Sequence, residues 1–187
     1  MTTLLDEKNA LRTLLALIRR SISQERREEA AQKLVQLLYP QIYSFHAVLS
    51  FHSFGTEIDT SLLNFQLAKE KKLLLPKVSS SGLAVYSVAN PCAQLKLSWG
   101  NLSEPDPDQC ALVDLSAIDC ILVPGLAFDA DRRRIGYGKG HYDRFLAQFN
   151  ALVSRPKTIG IGFNEQLHKG NLPHEPHDLS VDQIFLV

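Results

Sequence analysis

Apolar residues in the first twenty positions fall at Leu4, Leu11, Leu14, Leu15 and Ile18, with Lys and Arg between them. This spacing predicts an amphipathic helix over 4–20. Ser21–Ser23 interrupts the pattern, and Ser21 with Gln24 is expected to form a capping box. Ala30, Leu34, Leu37 and Leu38 mark a second helix, expected to end at Pro40 because proline lacks the N–H that a helix interior uses. AVLSF (47–51) reads as a buried strand and 60–71 as the next helix. LLLPKV (73–78) reads as a strand that Pro76 either ends early or places near an edge. GLAVYSVA (82–89) alternates as a strand, and 90–110, with Pro91, Pro105 and Pro107, reads as a long loop. IDCILVPG (118–125) is a continuous apolar run closed by Pro-Gly, the pattern of a parallel strand covered on both faces. A helix over 140–149 and strands over 157–163 and 182–187 complete the chain.

Strands that alternate with helices predict a three-layer α/β fold. Its sheet is mainly parallel, with helices on both faces, and is Rossmann-like. One domain over 1–187 is expected, with the ligand at the carboxyl ends of the strands. The 20 Lys and Arg balance the 20 Asp and Glu, which argues against a general nucleic-acid binder. No apolar run approaches membrane-spanning length, and the N-terminal residues lack a signal-peptide apolar segment. Cys92, Cys110 and Cys120 form no C-x-x-C pair and read as reduced thiols, so a cytoplasmic protein is expected.

The charge is locally uneven. RRRIGYGKGHYDRF (132–145) carries five fixed cations around Gly136, Gly138 and Gly140, directly after a strand and before a helix. Backbone N–H groups in such a setting cradle phosphate. Arg134 and Lys139 could neutralise phosphate oxygens, and Asp143 could hold Mg²⁺. The stretch is no P-loop, since Gly140 rather than Ser or Thr follows Lys139. It is no dinucleotide fingerprint either, since His141 stands where a third Gly is needed. On these residues alone, a sugar-phosphate isomerase, a non-catalytic nucleotide or folate sensor and a plain solvated turn all stay open.

The longer segment VPGLAFDADRRRIGYGKGHYDRFL (123–146) resembles the signature of the 5-formyltetrahydrofolate cyclo-ligase family. SFHSFGTEIDT (50–60), LPKV (75–78), WGNLSEP (99–105) and HDLSVDQIFLV (177–187) fit the family in order. The resemblance implies an ATP- and Mg²⁺-dependent conversion of 5-formyltetrahydrofolate to 5,10-methenyltetrahydrofolate by a monomeric enzyme. It implies nucleotide contacts by Lys8, Arg12, Arg134, Gly136, Tyr137, Gly138, Lys139, Gly140 and Tyr142, with Lys139 and Arg134 catalytic. Phe51, His52, Phe54, Glu57, Trp99 and Tyr142 fall on its folate side, and Glu104 in the long loop would close over substrate. Asp143 and Asp178 match its metal side, with Asp182 as the alternative to Asp178. His141 departs from the aromatic residue expected there. The prolines flanking His174 and His177 disfavour a dedicated metal site at that pair.

Overall fold

The computed structural model describes residues 3–80, 82–98, 102–152 and 154–187. Helix α1 (Leu4–Arg20) begins at a capping box in which Thr3 and Asp6 satisfy each other's backbone N–H. Helix α2 (Gln24–Lys33) is capped by Ser23, which accepts from Arg26 N. The expected Ser21–Gln24 box is absent, because Ser21 closes α1 and the Gln24 amide turns to Glu28.

Nor does Pro40 end the second helix. A π-helical turn (Leu34–Leu38) leads into α3 (Tyr39–Ile42), with Pro40 in its first turn, where no backbone donor is required. Strand β1 (Val48–Leu49), helix α4 (Ser61–Lys69) and strands β2 (Leu73–Ser79) and β3 (Gly82–Ser87) follow.

The segment 90–110 is not simply a loop. It contains a hairpin of β4 (Leu95–Leu97) and β5 (Ser103–Pro105). Strands β6 (Ala111–Leu112), β7 (Cys120–Val123), β8 (Ala127–Phe128) and β9 (Arg134–Ile135) precede helix α5 (His141–Ala147). Strands β10 (Lys157–Gly162) and β11 (Gln183–Leu186) end the chain.

The main sheet runs β11-β10-β7-β1-β2-β3-β6. Its first five strands are parallel, and β3 and β6 are antiparallel additions at one edge. Pro76 is tolerated because β1 pairs only with Leu73 and Leu74, so β2 has β3 as its one main-sheet neighbour from there on. The strand therefore runs on to Ser79 rather than ending early.

Side chains of the buried strands alternate between two cores. Val48, Leu73, Leu75, Cys120 and Leu122 face α2, α3 and α4. Leu49, Leu74, Ile121 and Val123 face α5, where Phe145, Leu146 and Phe149 cover them. Over β10 on this second face the covering element is the β8–β9 hairpin. Phe128, fully buried, lies against Gly160 and Gly125, and α1 packs outside the hairpin through Leu11 and Leu15. Among the described residues, no helix is long and apolar enough to cross a membrane. The three cysteines are unpaired, and burial pushes the Cys120 thiol up to about 12.

Candidate active site

The carboxyl ends of β1 and β7 release two loops on the same edge of the sheet: the 50–60 turn and the run from Pro124 into the β8–β9 hairpin. Asp129, fully buried, shapes that hairpin. Its Oδ1 accepts from Arg133 N and its Oδ2 from Leu172 N, both at 2.9 Å. Arg132 takes a left-handed φ of 63° in the turn; its carbonyl accepts from Val181 N and its exposed guanidinium donates to Asp182 O.

Strand β9 delivers Arg134 into the base of the glycine loop. The guanidinium donates to Asp143 Oδ1 at 2.7 Å and lies 5.8 Å from the Tyr142 ring centroid. Arg134 Nε and the Tyr142 hydroxyl are buried polar atoms that no group among the described residues satisfies. Burial also pushes the Tyr142 phenol up. Gly138 and Gly140 take φ of 92° and 63°, a region that side chains other than glycine resist. Lys139 is exposed between them, and its carbonyl accepts from Arg144. His141 is half-buried with its Nδ1 3.5 Å from Arg144 Nη2; burial and the cations Arg144 and Lys139 push its pKa down.

Helix α1 faces this loop with a stripe that hydrophobic periodicity misreads. Leu14, Leu17 and Ile18 are exposed, whereas Lys8 and Arg19 are buried with Leu15, and Arg12 is half-buried. Positions 8, 12, 15 and 19 share one helix face, so three cations point inward. Arg12 Nε donates to Gly136 O at 3.0 Å, and its guanidinium fills the space beside Gly138. Lys8 is 4% exposed and lies between Glu175 Oε2 (2.6 Å) and Asp178 Oδ2 (2.5 Å). Burial works against its charge, but the bonds and charges of Asp178 and Glu175 outweigh it and raise the ammonium above its ordinary value. Burial likewise favours the neutral Asp178 acid, yet Lys8 and Glu175 N–H hold its pKa below the ordinary range.

The linkage sign follows from these directions. Lys8 contributes stability below the ordinary lysine value and loses it as pH rises through the raised one. Asp178 contributes above the ordinary carboxyl value and loses it as pH falls through the lowered one. Lys8→Met is expected to cost about 1–3 kcal/mol near neutral pH, less than a fully buried pair because both carboxylates are partly exposed. Denaturant melts at pH 7 and pH 3 test this: the gap from wild type should narrow in acid, and an equal gap at both pH values would refute the pair.

Asp143 and Asp178, both expected on the metal side, are linked through the backbone: Leu179 N, next to Asp178, donates to Asp143 Oδ1 at 3.4 Å. Asp182 is used elsewhere, accepting from Thr158 N and Oγ1. Glu175, His177 and Asp178 could together hold a cation, but Lys8 already meets the two carboxylates of that trio. Glu175 carries no motif of its own and emerges only from the fold.

On the folate side the structure sorts the candidates by burial. Phe51 is 4% exposed and belongs to the core, and its carbonyl accepts from Thr60 and Asn64. Phe54 is exposed at the tip of the turn. Glu104 is also structural, because it is buried and accepts from Val78 N. Trp99 lies outside the described residues.

Glu57 is half-buried and lines a cleft of about 580 Å³ between α2 and the 53–62 segment, with Arg27, Ser53 and Asp59. Burial raises its carboxyl pKa against the pull of Phe54 N–H, Arg19 and Tyr137. His52 is half-buried beside a smaller pocket with Phe65 and Cys92, and burial lowers its pKa.

Two residues outside the predicted set hold these loops. Gln166 Nε2 donates to the carbonyls of Gly125 and Leu126, fixing the turn after β7. Arg19 reaches Thr56, Gly125 and Tyr137 at once. Tyr137, expected among nucleotide contacts, is thereby turned toward the Glu57 side of the site.

Comparisons with known proteins identify the family. The 5-formyltetrahydrofolate cyclo-ligase of Escherichia coli K12 is 30% identical over 171 residues, covering 89% of this chain and 92% of its own. The mouse 5-formyltetrahydrofolate cyclo-ligase is 28% identical over 189 residues, covering 95% and 92%. The solved 5,10-methenyltetrahydrofolate synthetase of Aquifex aeolicus superposes with a TM-score of 0.82 at 30% identity, over 95% of this chain and 88% of that one. The Mycoplasma pneumoniae synthetase, 23% identical with a TM-score of 0.74 over 95% and 96%, shares the fold. The family model for 5-formyltetrahydrofolate cyclo-ligases matches residues 5–187, and the chain belongs to that family of enzymes.

Proposed function

We propose that the protein converts 5-formyltetrahydrofolate to 5,10-methenyltetrahydrofolate, consuming ATP and releasing ADP and phosphate. The observation that carries this reading is the convergence of a cationic glycine loop and a carboxylate-bearing cleft on one edge of the sheet. In the reaction the formyl oxygen attacks the γ-phosphorus, an O–P bond forms and the bond to ADP breaks. N10 then attacks the activated formyl carbon, loses its proton, and the carbon–oxygen bond breaks to release phosphate. A formyl oxygen is a poor leaving group and its phosphate ester a good one, so alignment and charge neutralisation are the enzyme's main tasks.

Arg134 and Lys139 would neutralise the transferring phosphoryl group, while the glycines let backbone N–H groups approach it. Glu57 would accept hydrogen bonds from the donor edge of the pterin. Mg²⁺ prefers a few carboxylate oxygens with phosphate and water. Asp143 fits, since Arg134 and Leu179 engage only its Oδ1. When bound, the ion would supply charge neutralisation at the phosphates.

The test is an absorbance assay for the methenyl product with folded protein. Product that requires both ATP and Mg²⁺ supports the proposal, and no turnover under those conditions refutes it. Asp143→Asn is expected to raise the Mg²⁺ concentration for half-maximal rate by about tenfold or more, the scale on which groups that set a metal's environment act. An unchanged Mg²⁺ titration would remove Asp143 from the metal site.

A further inference from the structure

Arg19 is a cation at the end of α1, 3% exposed, with no carboxylate within ion-pair distance among the described residues. Burying a guanidinium is costly unless its donors are used. They are used on three loops. Nε donates to Thr56 Oγ1 at 2.9 Å, Nη1 to Gly125 O at 3.2 Å, and Nη2 to the Tyr137 hydroxyl. The guanidinium also lies 5.2 Å from the Tyr137 ring centroid. A second arginine steadies the first: Arg27 donates to Arg19 O and, at 2.8 Å, to Thr56 O.

These partners belong to the two halves of the site. Thr56 precedes Glu57 in the folate-side turn, whose carboxylate also accepts from Phe54 N at 3.0 Å. Tyr137 stands between Gly136 and Gly138 in the glycine loop, and Gly125 lies in the turn after β7. Lysine would not reproduce this reach, because its three donors leave one nitrogen whereas these acceptors are met by three separate nitrogens of a fixed fork.

We propose that Arg19 is a positioning residue that locks the Glu57 turn to the glycine loop through Thr56 and Tyr137, so that a ligand ordering one half strengthens binding at the other. A nucleotide that fixes the glycine loop fixes the Tyr137 hydroxyl, and with it the Arg19 fork and the turn carrying Glu57. The second ligand then meets a turn already ordered and loses less conformational entropy on binding. By linkage the effect is the same in both directions. The electrostatics agree: Tyr137 and Arg19 both act to keep Glu57 ionised against its burial.

This inference rests on the proposed folate and nucleotide sites. The test measures the Kd of 5-formyltetrahydrofolate by calorimetry, with and without a non-hydrolysable ATP analogue and Mg²⁺. In wild type the analogue should tighten folate binding at least about fivefold, the lower end of ordinary coupling. Tyr137→Phe, which removes one oxygen from a half-exposed residue, and Arg19→Lys, which keeps the charge, should each cut that factor to below about twofold. Thr56→Val, which removes the Arg19 acceptor on the other side of the lock, should lower the coupling factor to the same extent.

Wild type without coupling, or Tyr137→Phe with full coupling, overturns the role of Arg19 and leaves the enzymatic reading intact. Wild type that binds neither ligand overturns both. Thermal melts of Arg19→Lys separate lost coupling from lost folding, and Tyr137→Phe decides the matter if Arg19→Lys fails to fold.

Discussion

Lys139→Ala is expected to lower kcat by about 10²–10³-fold, the usual loss when one preorganised donor to developing charge is removed. The side chain is exposed on the crest of the glycine loop, between two glycines of left-handed φ. Arg144 reaches the Lys139 carbonyl, which every residue retains, so the loop conformation should survive. Stability should stay within about 0.5 kcal/mol of wild type, as for most exposed loop substitutions. Steady-state kinetics at saturating ATP and folate, with a thermal melt beside them, check both statements. A rise in KM for ATP with unchanged kcat would make Lys139 a binding group for ground and transition state alike. Wild-type values of both constants would remove it from the phosphate site.

The second large effect is on the fold beneath that loop. Gly160 lies in the middle of β10, where a Cβ would come within 2.9 Å of Phe128 Cδ1 and closer still to Cε1. The ring is fully buried, and a Cβ at Gly125 would also lie 2.9 Å from its Cζ, so the two glycines form one slot around it. Gly160→Ala should therefore cost about 3 kcal/mol, at the upper end of ordinary overpacking. For a chain of this size that corresponds to a Tm lower by about 6–12 °C. Adding Phe128→Leu should recover part of the loss by emptying the slot. A melt within a degree of wild type would show that the slot is not tight. Activity should fall with stability, since Phe128 anchors the hairpin whose second strand presents Arg134.

Much of the fold was legible because its signals are local. The helix over 4–20 is legible to the residue, since its leucines repeat at helical spacing and Ser21–Ser23 interrupts them. The run around Cys120–Val123 was read as a doubly covered strand, and its side chains do alternate between the two cores. Misreadings arose where a local rule met a long-range constraint. Pro40 breaks an ideal helix but not one widened by a π-turn just before it. The two-residue strands β8 and β9 are too short to show a period; Phe128 and Asp129 make a hairpin of them by packing on β10 and bonding Leu172.

The site divides in the same way. The glycine loop, Arg134 and Asp143 are contiguous, so their spacing alone put an anion site among the open readings, and Arg134 does meet Asp143. Glu175 and Gln166 carry no local signature. Arg19 carried only a faint one: it shares a helix face with Lys8, Arg12 and Leu15, an inward stripe masked by the more conspicuous but exposed Leu14, Leu17 and Ile18. Sequence by itself thus determined the order of the main helices and buried strands, the alternation of those strands and the cationic glycine loop, because each depends on residues within a turn or two of one another. Tertiary structure alone decided which face of α1 turns inward, that Lys8 meets Glu175 and Asp178, and that Arg19 joins Thr56 to Tyr137. Those contacts span 37 to 170 positions of chain, and only the folded sheet edge brings their partners within bonding distance.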